Sequence, residues 1–396
     1  MIYFDNGATT FPKPPSVVRA VNAAMQRYGA NPGRSGHRMS VRAGETVYGC
    51  RTDAAQLFGL DSPENIIFTD SCTTALNTVL HGVLKPGDHV VISSLEHNAV
   101  VRPLTWLNRT RGVAYSVAEV FEGDDDRTID SFRRAINGKT RMLVCTAASN
   151  VFGVRLPLTR LAALCRIYNL LFCVDAAQGA GLLPLHMREI GIDYLCAAGH
   201  KGLYGLMGTG ILALNSGVLP ESLTQGGTGS LSMSLDQPET LPDKYESGTP
   251  NLTGIAGLDA GIRFVTQRGE ERLLQGEMRL AQRLYDGLSE QDDVVLYTSR
   301  PAADTHVPVV SFNMRGHDSE EVAAVLDSRF NIAVRAGLHC APLAHRAYGT
   351  EQCGTVRAVM SAYNTAAQVD YLLSALKKIK KLLPKKVAID NGNVVE

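Results

Sequence analysis

The sequence predicts an α/β protein: a large domain on a mostly parallel sheet covered by helices, joined to a smaller α+β domain. Three observations lead there. Short β-rich runs alternate with helical stretches through the first two thirds of the chain. The runs are apolar throughout, as strands buried on both faces are. From about Gly254 that rhythm gives way to a long helical stretch and then a mixed pattern.

In chain order, strands are expected at Ile66–Thr69, His89–Ser93, Met142–Ala147, Leu171–Val174, Tyr194–Ala197 and Gly210–Leu214. Helices such as Thr74–Leu84 and Leu158–Tyr168 separate them. The second part should hold a strand at Val309–Asn313, a helix at Ser319–Arg329, a strand at Ile332–Arg335 and a closing helix at Ala366–Leu382. The expected large domain is 15–255, the small one 1–14 with 256–384, and the polar tail 385–396. Lys377, Lys378, Lys380 and Lys381 read as a solvated helix face, with a docking patch as the alternative.

Composition narrows the function. With 45% hydrophobic and 20% charged residues in 396, the chain can bury a sizeable core, which excludes disorder as its main state. Lys plus Arg equal Asp plus Glu at 39 each, so no net field recruits nucleic acid or an anionic membrane, and a small-molecule partner is the default. The N-terminus lacks a signal-peptide pattern, and no apolar run approaches the ~20 residues of a membrane span, so the expected location is the cytoplasm. Eight cysteines without a Cys-x-x-Cys pair argue against disulfides and structural zinc, and no metal is expected.

Four segments carry chemistry. In Ala197-Ala198-Gly199-His200-Lys201-Gly202 a lysine follows a strand among small residues that let a planar cofactor approach. A lysine there can form a Schiff base, or be an exposed loop residue. Asp175 ends another strand, with Gln178 three residues on; ligands of such sheets bind beyond the carboxyl ends of strands, although an acid there also serves as a helix N-cap. Asp70 to Asn77 joins a strand to a helix, so its hydroxyls and free N–H groups suit a phosphate, or simply cap the helix. Arg335 to Pro342 supplies an arginine fork for a carboxylate and a cysteine, Cys340, in a loop flanked by Gly and Pro. Cys145, Cys173 and Cys196 sit in apolar runs and read as core residues. Gly205 to Gly210 has the wrong glycine spacing for a dinucleotide loop and reads as a turn.

Taken in order, these motifs resemble the class V aminotransferase superfamily and, within it, the cysteine desulfurase and selenocysteine lyase group. The likeness is carried nearly end to end by Asp5-Asn6-Gly7-Ala8-Thr9-Thr10, Glu96-His97-Asn98, Ser149 to Gly153, Asp175 to Gln178, Gly199-His200-Lys201, Gly248 to Asn251 and Arg335 to Cys340. The Arg-x-Gly-x-His-Cys form is similar to the second desulfurase subgroup, which has a short, ordered catalytic loop. The resemblance implies the fold type I architecture of pyridoxal-5'-phosphate (PLP) enzymes, with a seven-stranded sheet. It implies Lys201, Cys340 and His97 as the catalytic set: Lys201 bonded to PLP, His97 stacked on its ring, Cys340 receiving sulfur. It further implies Asp175 on the ring nitrogen, Gln178 and Asn150 near the ring hydroxyl, and Cys72, Thr73 and His200 around the phosphate. Thr249 would join them from the other subunit of a homodimer. His37, Arg335 and Arg357 would line the substrate side. Ala198 stands where a phosphate-binding serine is common, and Cys72 where a threonine is usual.

The activity implied is desulfuration of L-cysteine to L-alanine, with a persulfide left on Cys340 for an acceptor protein; Arg335 and His339 are expected to tune the thiol. Selenocysteine lyase activity is the near alternative. An aminotransferase or β-lyase without a persulfide is disfavoured by the Cys340 segment, and a silent sulfur-transfer scaffold by the presence of Lys201, Asp175 and Cys340.

Overall fold

Seven strands form one sheet in the spatial order Ile66–Thr69, Gly210–Leu214, Tyr194–Ala198, Leu171–Asp175, Thr140–Thr146, His89–Ser93, Ala114–Ala118. Gly210–Leu214 runs antiparallel to both neighbours, and every other pairing is parallel. The five residues of His89–Ser93, Tyr194–Ala198 and Gly210–Leu214 are all buried, which is why the last two strands and the middle of the first read as apolar runs. Ala114–Ala118 was not among the expected strands. It is an edge strand, Ala-Tyr-Ser-Val-Ala, in which only Ala118 is buried, so it lacks the continuous apolar run of its buried neighbours.

The structure, a computed structural model, describes residues 1–33, 35–380 and 382, with the backbone of 389–390 and 393–394. Lys381 and most of the expected tail 385–396 lie outside the described residues. The chain divides into two units, one of Pro12–Ala147 with Leu156–Arg272, the other of Met1–Phe11, Ala148–Arg155 and Leu273–Glu396. Residues 148–155, inside the 15–255 domain expected from sequence, group with the second of these, and 256–272 with the first.

In the sheet unit, Ser71 caps the helix Cys72–Val83 by accepting the Thr74 N–H, and His97 caps Asn98–Arg111. Helices Pro15–Arg27 and Arg38–Leu57 pack on Leu252–Arg268. The other unit holds the antiparallel sheet Val356–Val359, Val309–Met314, Val294–Leu296, and a parallel pair of Ile2–Tyr3 with Ile332–Ala333. The expected strand to Arg335 stops at Ala333, beyond which Arg335 forms an isolated bridge with Arg357. The closing helix is Ala366–Ile379, opened by a Thr365–Gln368 capping box. No helix among the described residues is long and apolar enough to cross a membrane.

Candidate functional site

Because Ile66–Thr69, Tyr194–Ala198, Leu171–Asp175 and His89–Ser93 all point the same way, the segments that follow them leave the sheet at one edge. That edge therefore receives Cys72 and Thr73, Lys201, Asp175 with Gln178, and Glu96-His97. Asp175 is buried at the end of its strand. Its Oδ1 accepts the Ala177 N–H at 2.9 Å and the Cys72 Sγ–H at 3.4 Å. Burial, with the Asp175 charge next, pushes the Cys72 thiol well above its ordinary range, so it remains protonated. Cys72, expected near a phosphate, donates to the acid, and Thr73 beside it is exposed at that helix start.

Glu96 is buried on the turn ahead of His97. Its Oε1 accepts from the Ser93 hydroxyl and, at 2.9 Å, from the Thr146 N–H; its Oε2 is buried with no hydrogen-bond partner among the described residues. Burial raises this carboxyl to about 8, against those two hydrogen bonds and helped by the charge of Asp175. Glu96 is therefore a neutral acid at pH 7. The His97 ring accepts the Ala99 N–H at 3.0 Å through Nδ1, which fixes how the imidazole stands.

A lysine that sequence reasoning passed over completes this edge. Lys13 Nζ donates to the His200 carbonyl at 2.8 Å, one residue before Lys201. Burial lowers the Lys13 ammonium to about 8. Burial, then the charges of Lys201 and Lys13, lowers the His200 imidazole to about 4, so its ring is neutral at pH 7. The signal in the sequence was Pro12-Lys13-Pro14, a lysine whose backbone is restrained on both sides. Two further expected residues belong to the same unit. Exposed His37 caps Arg38–Leu57 by accepting the Ser40 N–H at 3.2 Å. Thr249 lines a cavity of about 280 Å³ with Asp70, Gly208, Tyr245 and Asn251.

The second unit carries its own cluster. Arg357 is 1% exposed; Nη2 pairs with Asp5 at 3.0 Å and Nη1 donates to the Asn150 carbonyl at 2.7 Å. Burial lowers this guanidinium from its usual value while Asp5 opposes the shift, and it stays charged. Gly7 packs closely beside it: a Cβ there would lie 2.9 Å from Val359 Cγ2 and 3.1 Å from Arg357 Cζ. The Asn150 amide Nδ2 donates to the His339 carbonyl at 2.7 Å. Cys340, the next residue, is exposed.

His339 corrects one expectation. Its ring is buried with Nε2 donating to the Thr355 carbonyl at 3.0 Å, and burial drives its pKa down to about 2. It supplies no positive charge to the neighbouring thiol and acts as an anchor for the loop. Among the described residues no group of His, Cys, Asp or Glu could hold a metal.

Residues 2–372 match the family described as aminotransferase class-V. The chain is similar to a probable cysteine desulfurase of Methanothermobacter thermautotrophicus, 33% identical over 96% of this chain and 94% of that one. It also resembles a cysteine desulfurase of Salmonella agona, 31% identical over 97% of this chain and 94% of that one. Among solved structures, that of the apo cysteine desulfurase of Thermococcus onnurineus superposes with a TM-score of 0.88 at 33% identity, covering 96% of this chain and 95% of the other.

Proposed function

We propose, from the premise that this chain belongs to the class V aminotransferase family and its cysteine desulfurase group, that it moves sulfur from L-cysteine to Cys340 with PLP as cofactor. The observation that carries this reading is an exposed thiol, Cys340, on a loop held by hydrogen bonds beside the paired arginines 335 and 357. Amino-group exchange alone has no use for such a thiol.

The residues present fit PLP. Lys201 and Asp175 follow adjacent strands at one sheet edge. The helix Cys72–Val83 opens there with first-turn N–H groups that have no partner within the helix, which suits a phosphate. Asn150 Oδ1 is a buried acceptor without a partner among the described residues, which suits a ring hydroxyl. Bound, PLP would supply an electron sink for charge developing at the substrate Cα.

Around it, Asp175 would keep the ring nitrogen protonated, His97 would stack on the ring, and Gln178 would face its hydroxyl. Thr73 and neutral His200 would donate to the phosphate, joined by Thr249 of the partner subunit in a homodimer. Arg335 would clamp the substrate carboxylate, with His37 on the same side, and Arg357 would brace that side through Asp5. Lys201 Nζ would take the Cα proton. The Cys340 thiolate then attacks the substrate sulfur: an S–S bond forms, the C–S bond breaks, and its electron pair and a proton end on Cβ. The products are L-alanine and a Cys340 persulfide, which a thiol on an acceptor protein would consume.

The test is Cys340→Ala. It should keep the yellow colour and borohydride-reducible link of the PLP-loaded protein, yet lose nearly all alanine production from cysteine. Wild type given cysteine should gain one sulfur on the Cys340 peptide by mass spectrometry. Equal turnover by the two proteins would reject the persulfide step. Turnover of selenocysteine by the variant, alongside wild-type specificity constants for both amino acids, would decide the preferred substrate.

A further inference from the structure

The turn that presents Cys340 is bent against its own preference. His339 and Cys340 are consecutive non-glycine residues in the left-handed region, at φ 48° and 56°. L residues stay there only when their surroundings over-determine the conformation. The surroundings do so at four points: Asn150 Nδ2 to the His339 carbonyl (2.7 Å), His339 Nε2 to the Thr355 carbonyl (3.0 Å), Ala341 N–H to the Leu338 carbonyl (3.0 Å), and Thr355 N–H to the Gly337 carbonyl (3.1 Å). Close approach of Gly354 to Gly337 lets these strands of chain meet, since a Cβ on Gly354 would lie 2.7 Å from the Gly337 backbone.

Of these contacts, the Asn150 amide is the side chain that reaches the residue next to the thiol from elsewhere in the sequence, 189 positions away. Its own carbonyl is held by Arg357, whose other arm is held by Asp5. We propose that Asn150 is a positioning residue for Cys340: its side-chain amide, aimed by the Asp5–Arg357 pair, keeps the left-handed turn that presents the thiol. The functional half of this inference rests on Cys340 as the sulfur acceptor; the mechanical half stands without it.

Asn150→Ala removes the amide, and Asn150→Asp keeps its size and an acceptor but no donor. Hydrogen exchange of residues 338–341, followed by mass spectrometry on the PLP-loaded protein, should accelerate in both by roughly 3- to 10-fold, the factor expected for one lost hydrogen bond. Exchange in Cys72–Val83 and Ala366–Ile379 should stay at the wild-type rate. The kcat for alanine formation should fall by a similar factor, with KM for cysteine within about twofold of wild type. Unchanged exchange at 338–341 with a shifted cofactor absorbance would assign Asn150 to the PLP ring alone and overturn the proposal. Uniform acceleration along the whole chain would overturn it as well, making Asn150 a general stability residue. Accelerated local exchange in a protein whose wild type gains no sulfur on Cys340 would uphold the positioning role and reject the desulfurase reading instead.

Discussion

Single residues here act through what burial does to their charge. Glu96 titrates near 4.5 when unperturbed and at about 8 in the folded protein, because burial outweighs its hydrogen bonds from Ser93 and Thr146. Folding therefore takes up a proton between those two pH values. The associated stability is fully present below about pH 4.5 and is lost as pH rises through about 8. Glu96→Gln cannot titrate, so its stability relative to wild type should climb between pH 5 and pH 8, by about 2–4 kcal/mol from linkage. Urea unfolding at several pH values measures this directly, and a difference that stays flat with pH would show that Glu96 is ionised in the fold. His339 follows the same logic in the opposite sense: burial keeps it neutral, which makes it an anchor for its loop.

At the scale of elements, the edge of the large sheet is closed by side chains in place of another strand. Ile66–Thr69 is an outermost strand. Its Phe68 N–H donates to Glu246 Oε1 at 2.6 Å, and the Ile66 carbonyl accepts from Arg51 Nη1. Arg51 and Glu246 pair with each other, with side chains 6% and 14% exposed, and Arg51 lies 4.6 Å over the Phe68 ring. This capping satisfies an edge that would otherwise template another strand, and it fixes the segment leading to Thr249. Glu246→Ala strands a buried guanidinium, so chemical denaturation should show a loss of about 3–5 kcal/mol. The double replacement Arg51→Met with Glu246→Leu should recover most of that loss. If Glu246→Ala alone costs under about 1 kcal/mol, the pair is a surface ornament and the edge is held in some other way.

On the scale of the whole molecule, the sheet unit leaves apolar side chains in solvent: Met233 is 96% exposed, Leu235 103% and Leu231 63%. They lie on the segment that leads toward Thr249. A two-fold homodimer would cover such a surface in both copies and deliver Thr249 to the neighbouring phosphate site. Sedimentation at micromolar concentration should therefore give a dimer. Met233→Asp with Leu235→Asp should shift it toward monomer and weaken PLP retention. A wild-type monomer that keeps full activity would reject the composite site.

Much of this was legible in the sequence, because it depends on local pattern. Apolar runs marked the buried strands, and their ends marked where Lys201, Asp175, Thr73 and His97 emerge, since a parallel sheet delivers all its strand ends to one edge. The edge strand Ala114–Ala118 escaped because half-exposed strands carry little apolar signal. Packing decided the rest. Arg357 meets Asp5 across 352 positions, Asn150 meets His339 across 189, and Cys72 meets Asp175 across 103. Hydrogen bonds of that span are chosen by whichever buried groups the fold leaves facing one another, under the demand that buried polar atoms be paired. Composition and spacing determined which chemical groups this protein owns; only the tertiary structure decided that Asn150 and His339 hold the Cys340 turn and that the Cys72 thiol rests on Asp175.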